Sequence, residues 1–376
     1  MNSGSDMTQS RMPPAVAGRF LAYTTKEHED IAIAGTQSSS VSGIVIRDRD
    51  PRAAVRRARS AGYQSSVIPD AGVWTRKLAT LASPTALQAP DALLQVSLDS
   101  WASGLVTAGA GAVLTPSKFV SLADWTALQA VLRAGEETEL PQVITLVATD
   151  AAMLSPSYVR TFVETVVTSR PMAFVFAAKD GPFNRRHRAA GLRYLMSRRP
   201  GSLLMATEPL AATDAYAHGA AGAAIGVGGG TRRPKRPGDQ GGGPDAKDFM
   251  PGLFLRELWE HRTPGIYADW FANSPSPTCP DCNDRALDVF DKTDTDKRNV
   301  LCHNVHAWLA VFNELRVQTP PPEQRRWSAD EWLTALTAHL TLRPGVGTVG
   351  ADLLLRQLVE LDDPLGRRTT LQGALY

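Results

Sequence analysis

The chain has little cysteine, no long apolar run and almost no net charge, and each shortage removes a class of protein. Its three cysteines, in 376 residues, all lie between positions 279 and 302. An odd number cannot pair off completely, which excludes a disulfide scaffold and fits a reducing, cytoplasmic setting. Nothing approaches the ~18 consecutive apolar residues that span a bilayer. Residues 1–22 lack a basic stretch followed by an apolar core, so no secretory signal is read there and no membrane partner is expected. Forty basic and 38 acidic side chains leave a formal charge of +2, so a nucleic-acid partner must be argued from local clusters. What is present is ordinary for a soluble globular protein: 43% hydrophobic and 21% charged residues. The length allows about two domains, or one large α/β barrel with additions.

Residues 1–42, rich in Ser, Thr and Gly, read as a loose N-terminal segment. From residue 43 short apolar runs alternate with amphipathic stretches. The strand candidates are 43–47 (GIVIR), 66–69 (SVIP), 93–98 (LLQVSL), 112–115 (AVLT), 142–148 (QVITLVA), 173–177 (AFVFA), 202–206 (SLLMA) and 223–227 (AAIGV). Helical periodicity fills 51–61, 122–134, 158–169 and 184–197. Continuous apolar strands separated by helices indicate a parallel sheet buried on both faces. Eight such units predict an α/β fold of the (β/α)8 TIM-barrel type over 43–270, with an open doubly wound sheet as the other architecture. A zinc-binding subdomain (271–316) and a C-terminal helical extension (317–376) follow.

Chemistry in such a barrel gathers where strands end at their C-terminal edge. Asp48, Asp70, Asp99, Asp150, Asp180 and Glu208 each follow a strand candidate. At least half are expected to be helix N-caps, but a ring of carboxylates can also support acid–base or nucleophilic work. After the eighth strand come glycines 228–230, then Thr231, Arg232, Arg233, Lys235 and Arg236, and a second glycine run at 241–243. Such a loop can bring backbone N–H groups and cations to phosphates, or can be a surface linker. It matches neither the P-loop nor the dinucleotide fingerprint.

Cys279-Pro280-Asp281-Cys282 is a CxxC knuckle, and Cys302-His303-Asn304-Val305-His306 follows about twenty residues later. Zinc takes four thiolate and imidazole ligands in structural sites, and a CxxC turn can offer two sulfurs. On a helix Cys302 and His306 share a face, and His303 stands about 100° round from Cys302. The expected set is Cys279, Cys282, Cys302 and one of His303 and His306, holding a structural zinc with no open position. A buried, reduced cysteine trio is the plainer reading.

These residues resemble the tRNA-guanine transglycosylase family, including its archaeal and DNA-modifying branches. The resemblance covers roughly 43–316 and rests on three places. The CxxC knuckle followed by His303-Asn304 entering an apolar helix resembles the family's zinc site. Val67-Ile68-Pro69-Asp70-Ala71-Gly72-Val73-Trp74 resembles its strand ending in Asp-Ser-Gly-Gly-Phe. Residues 202–232, with Gly219 and Gly230-Thr231-Arg232, resemble its seventh and eighth strands and Pro-Thr-Arg. The resemblance implies a barrel with a zinc subdomain, and Asp70 as the acid–base residue.

The departures bear on function. The family's first zinc cysteine falls on Pro277, which leaves Cys302 to supply the sulfur. Its nucleophilic aspartate falls on Gly226, and no Asp or Glu occurs anywhere between Ala215 and Gly238. Ala71 and Val73 replace residues that would position the base. Base exchange needs one carboxylate to attack the anomeric carbon and another to move the proton. The expectation is therefore a divergent member that binds nucleic acid (tRNA or DNA) or a 7-deazaguanine-type base without the nucleophile. Gly72, Thr231, Arg232, Arg233, Lys235 and Arg236 are its substrate-binding candidates. The alternative is an active pentosyltransferase in which Asp99, Asp150 or Asp180 replaces the nucleophile. A homodimer, or pairing with an active subunit, is compatible with the first.

Overall fold

The computed structural model describes residues 11–87, 96–239, 249–279, 284–342, 344–345 and 349–365. Strands and helices alternate as β1 (Phe20–Thr25), α1 (Glu29–Thr36), β2 (Ser42–Arg47), α2 (Pro51–Ser60), β3 (Ser66–Asp70), α3 (Leu98–Thr107), β4 (Val113–Leu114) and α4 (Trp125–Glu136). They continue as β5 (Val143–Asp150), α5 (Val159–Thr165), β6 (Met172–Ala177), α6 (Arg188–Arg198), β7 (Leu203–Thr207), α7 (Pro209–Ala217), β8 (Gly222–Gly226) and the single turn α8 (Gly229–Arg232). The strands form one parallel sheet in the order β3-β2-β1-β8-β7-β6-β5-β4. Gly111 N–H donates to Val67 O at 2.9 Å between the β4 and β3 ends, so the sheet comes round into a nearly closed TIM barrel.

Side-chain alternation explains why these runs become barrel strands. Leu21, Tyr23, Val45, Ile68, Leu114, Leu146, Val175, Met205 and Ala224 fill the interior. Their neighbours Phe20, Ala22, Ile44, Val67, Val147, Phe174, Leu204 and Ala223 face the helices. Both faces are therefore apolar, as a parallel sheet requires. The helices begin at local signals. Asp50 accepts from Ala53 N–H at 2.9 Å with Pro51 at the first position of α2, and Asp124 accepts from Ala127 N–H at 3.0 Å to start α4.

Two expectations are corrected. Residues 12–36 are not a loose segment: β1 lies there and pairs with both β2 and β8. Met12 and Val16 plug the interior, and Ser66 Oγ donates to Ala15 O at 2.6 Å. The run FLAYTT was overlooked because its polar threonines come at the end, where the strand reaches the mouth. The candidate strand 93–98 is corrected at its C-terminal end. Residues 93–95 lie outside the described residues, and Ser97 caps α3 by accepting from Ser100 N–H at 3.1 Å, so Leu98 is helical.

Beyond α8 comes a hairpin of β9 (Leu253–Leu255) and β10 (Glu260–Arg262), then α9 (Pro264–Trp270) and a two-residue pair, β11 (Thr278–Cys279) with β12 (Arg285–Ala286). Three helices end the chain: α10 (Asp294–Val317), α11 (Pro321–Thr341) and α12 (Leu353–Asp362). They pack on the barrel, α10 against α1 and α11 against α7. Arg193 on α6 fixes α12 by donating to Asp362 at 2.6 Å and to the buried Asp214 of α7 at 2.9 Å. Among the described residues no helix is long and apolar enough to cross a membrane.

Candidate functional site at the barrel mouth

Asp70 ends β3 and points into the barrel, where it is only 1% exposed. Its carboxylate is fully engaged. Tyr23 Oη donates to Oδ2 at 2.5 Å, Trp74 Nε1 donates to Oδ2 at 3.1 Å, and Gly72 N–H donates to Oδ1 at 2.8 Å. The Arg47 guanidinium covers this group, 5.9 Å from the Tyr23 ring centroid and 5.8 Å from that of Trp74. Burial, with the Asp70 charge second, holds the Tyr23 phenol well above its usual range, so it stays a donor. Gly72 has φ +60°, and a Cβ there would come within 2.7 Å of Arg47 Cγ. The turn that aims its N–H at Asp70 therefore favours glycine on both counts.

The place of the missing nucleophile is covered by backbone. A Cβ on Gly226 would lie within 2.5 Å of Thr231 C, Thr231 O and Arg232 N. The chain turns back there because Thr231 Oγ1 accepts from Gly228 N–H at 3.0 Å and donates to Gly228 O at 2.7 Å. Arg232 is buried and donates from Nη1 to Val227 O at 2.8 Å and to Gly226 O at 3.2 Å.

The rest of the loop folds inward, with Ala178 N–H donating to Pro234 O at 3.1 Å. It is not a linker as far as Asp239, and the second glycine run lies outside the described residues. Arg233 pairs with Glu208 at 3.3 Å and with Asp352 at 3.7 Å. Arg236 pairs with Asp150 at 3.0 Å and with Asp239 at 2.9 Å. Lys235 is half-buried. Of the loop cations expected to meet phosphate, Arg233 and Arg236 are spent on internal carboxylates and Arg232 on carbonyls.

The other acids do not converge. Asp150 caps the turn after β5, accepting from Ala152 N–H at 2.8 Å, while its other oxygen holds Arg236. Asp180 is exposed beside Arg185 at 3.4 Å. Asp99 is not at the mouth: it lies in the first turn of α3 and accepts from Thr138, in the connection leading into β5 at the opposite end of the strands. Glu208 follows β7, buried, and burial pushes its carboxyl up. Among the described residues no pair of free carboxylates faces one pocket.

Sequence reasoning missed the cations of the second to fourth loops. Arg47 and Arg49 follow β2, Arg76 and Lys77 follow β3, and Lys118 follows β4, all on the mouth side. Arg47, Arg49, Gly72 and Arg76 line a cleft of about 190 Å³. Among the described residues none of the five cations has a carboxylate within ion-pair distance, whereas Asp48 beside them is held by Arg57 at 2.8 Å. Their scatter over 72 residues hides them from any local motif. Only their common place after strands marks them.

The expected metal ligands are divided. Cys279 is buried with Leu253, Tyr267, Leu287 and Val300. Cys302 packs into the barrel-side core instead, where burial raises its thiol and Arg298 and Asp30 are its charged neighbours. Cys302 and Cys279 thus pack in different apolar clusters. His303 uses Nε2 on Phe254 O at 2.8 Å. Asn304 accepts from Phe254 N–H at 2.7 Å and donates to Gly252 O at 2.9 Å. The His-Asn pair thus pins the β9 edge to α10. His306 is half-buried on the same helix, and Cys282 lies outside the described residues. Among the described residues no three His, Cys, Asp or Glu side chains gather as a metal set.

His261 on β10 stacks 5.1 Å from Phe254 and 5.5 Å from Trp308, and its covered Nε2 has no hydrogen-bond partner among the described residues. Burial first, then the charges of Arg232 and Arg233, hold its imidazole well below the usual range. A folded-state value below the unfolded one gives stability that is present above about pH 6.5 and lost as pH falls. Stability should accordingly fall between pH 7 and pH 5. Urea midpoints of His261→Gln should therefore fall less than wild type over that interval, and parallel curves would contradict the assignment.

No protein-family model matches the sequence, and no curated protein matches it significantly. A solved structure of flavocytochrome b2, an arginine-to-lysine mutant, matches with a TM-score of 0.31 and 11% identity. That match covers 60% of this chain and 62% of the other. So slight a likeness carries no argument, and the barrel rests on its own strand order.

Proposed function

We propose that this protein is a barrel that binds a polyanionic partner, a nucleic acid, across the loops after β2, β3 and β4, and that it has no base-exchange chemistry. The observation that carries the reading is the division of charge at the mouth. Asp70 and Asp150 are committed to internal donors, Gly226 leaves no room for a nucleophile, and among the described residues Arg49, Arg76, Lys77 and Lys118 have no carboxylate within ion-pair distance. Uncommitted cations on one rim suit a phosphate backbone, and each phosphate neutralised on duplex DNA contributes about 0.9 to the slope of log K against log salt. The resemblance to tRNA-guanine transglycosylases points the same way, to tRNA or DNA or a 7-deazaguanine-type base, with Gly72 and Arg47 among the residues that line the cleft.

The test is a salt titration of tRNA and duplex DNA binding. The triple substitution Arg49→Gln, Arg76→Gln and Lys77→Gln should weaken binding at least tenfold at about 50 mM salt and lower the slope by about 2 to 3. Undetectable binding of the wild type, or a triple variant with unchanged slope, overturns the reading.

A structural zinc belongs to the same proposal in narrower form, with Cys279, Cys282 and a histidine of α10, His303 or His306, as candidate ligands and Cys302, which packs in the other apolar cluster, outside the set. Metal-binding energy at a structural site is folding energy. Purified protein should carry about one zinc per chain, lost with much of the stability in Cys279→Ser but kept in Cys302→Ser. Zinc content unaffected by Cys279→Ser counts against it.

A further inference from the structure

A second group of cations stands across the mouth from the β2–β4 rim. In the nearly closed ring of strands β6 is four places from β2, so the β6–α6 connection lies opposite the loop that bears Arg47 and Arg49. That connection carries Lys179, Arg185 and Arg186, all exposed. Among the described residues no carboxylate comes within ion-pair distance of Lys179 or Arg186. Asp180 meets Arg185 at 3.4 Å, with the two side chains 63% and 67% exposed. An ion pair so open to water is worth at most about 1 kcal/mol, and a phosphate can replace its acid. Arg188 lies deeper and donates to Pro182 O at 2.8 Å. Burial lowers its guanidinium; Asp150 opposes that, and Arg185 and Arg236 add to it. The floor between the rims is matched instead, with Arg233 on Glu208 and Arg236 on Asp150 and Asp239.

Uncompensated charge is therefore concentrated at two opposite edges of the mouth. Given the nucleic-acid reading of the β2–β4 rim, on which this rests, we propose that the nucleic acid lies across the mouth as a duplex and that Lys179, Arg185 and Arg186 hold its far end by the phosphates. Eight strands about 4.8 Å apart and tilted by about 36° close into a ring about 15 Å across. Phosphates recur about every 3.4 Å along each strand of a duplex, so at least about five base pairs separate the two contacts. A shorter duplex reaches one edge at a time. A longer one reaches both, and its second contact forms within the complex at a high effective concentration. Stiffness favours a duplex over a single strand here. Its persistence length of about 50 nm far exceeds the span, so it crosses the matched floor without being ordered there, whereas a flexible strand loses conformational freedom on the way.

The experiment is a fluorescence-anisotropy titration of the full chain with DNA duplexes of about 6 and about 18 base pairs, and with the single strand of the longer one, over a range of salt. The longer duplex should bind at least tenfold tighter than either the short duplex or the single strand at about 50 mM salt. The double substitution Lys179→Gln and Arg186→Gln, at two exposed positions, should weaken the longer duplex at least tenfold and lower its salt slope by about 2, while the short duplex changes less than threefold. Loss of binding in the Arg49, Arg76 and Lys77 triple variant with none in this double variant overturns the far-edge contact alone and leaves the β2–β4 reading standing. Equal affinity for the two duplexes, or for duplex and single strand, does the same. No binding of any of the three by the wild type overturns both.

Discussion

Gly226→Asp is expected to break the β8–α8 corner rather than restore a nucleophile. The new Cβ would enter the backbone of Thr231 and Arg232. Relief requires α8 to move, which undoes the Thr231–Gly228 hydrogen bonds and the two carbonyl contacts of Arg232. Overpacking of a rigid core costs about 1–3 kcal/mol for added methylenes, and a carboxylate buried among backbone carbonyls adds to it. Gly226→Ala should therefore lose roughly 3 kcal/mol in urea unfolding and Gly226→Asp more than about 4. A loss under about 1 kcal/mol for either would mean that α8 yields easily and that the mouth can open there.

Asp70→Ala should be the second severe change, at roughly 4 kcal/mol. It strands three buried donors, Tyr23 Oη, Trp74 Nε1 and Gly72 N–H, and each unsatisfied buried donor costs about 1–3 kcal/mol. It also leaves the Arg47 guanidinium over two aromatic rings without the charge beneath. Asp70→Asn keeps one acceptor oxygen and should cost about half as much. A carboxylate kept for proton transfer in an open site would behave otherwise. Such groups are commonly neutral or unfavourable for stability, so their removal tends to stabilise. Equal or higher stability of Asp70→Asn would return Asp70 to the catalytic role.

The barrel was legible because its strands obey one rule. Runs such as QVITLVA and AFVFA are apolar on both faces, and seven of the eight strands, β2 to β8, fall on candidate runs. FLAYTT is hard to read because its mouth end is polar, and Ser97-Leu98 reads as a strand end although it starts α3, because alternation alone cannot tell a strand from the approach to an N-capped helix. The site was less legible, for a physical reason. Sequence shows which side chains follow strands, but not what they have already bonded. Asp70, Asp150 and Arg236 look like chemistry in the sequence and prove to be satisfied by one another's neighbours in space. Conversely, Arg76 and Lys118 carry no motif, and their significance comes from having no carboxylate within ion-pair distance among the described residues. The His303-Asn304 pair, a metal candidate in the sequence, holds the β9 backbone in the described residues.

The most direct test of binding without base exchange is incorporation of labelled guanine or a labelled 7-deazaguanine into mixed tRNA and DNA by the purified protein alone. The account predicts no incorporation above a protein-free blank, from a preparation that binds the same nucleic acids at about 50 mM salt. Robust incorporation, abolished by Asp70→Asn in a variant that still folds, would contradict it.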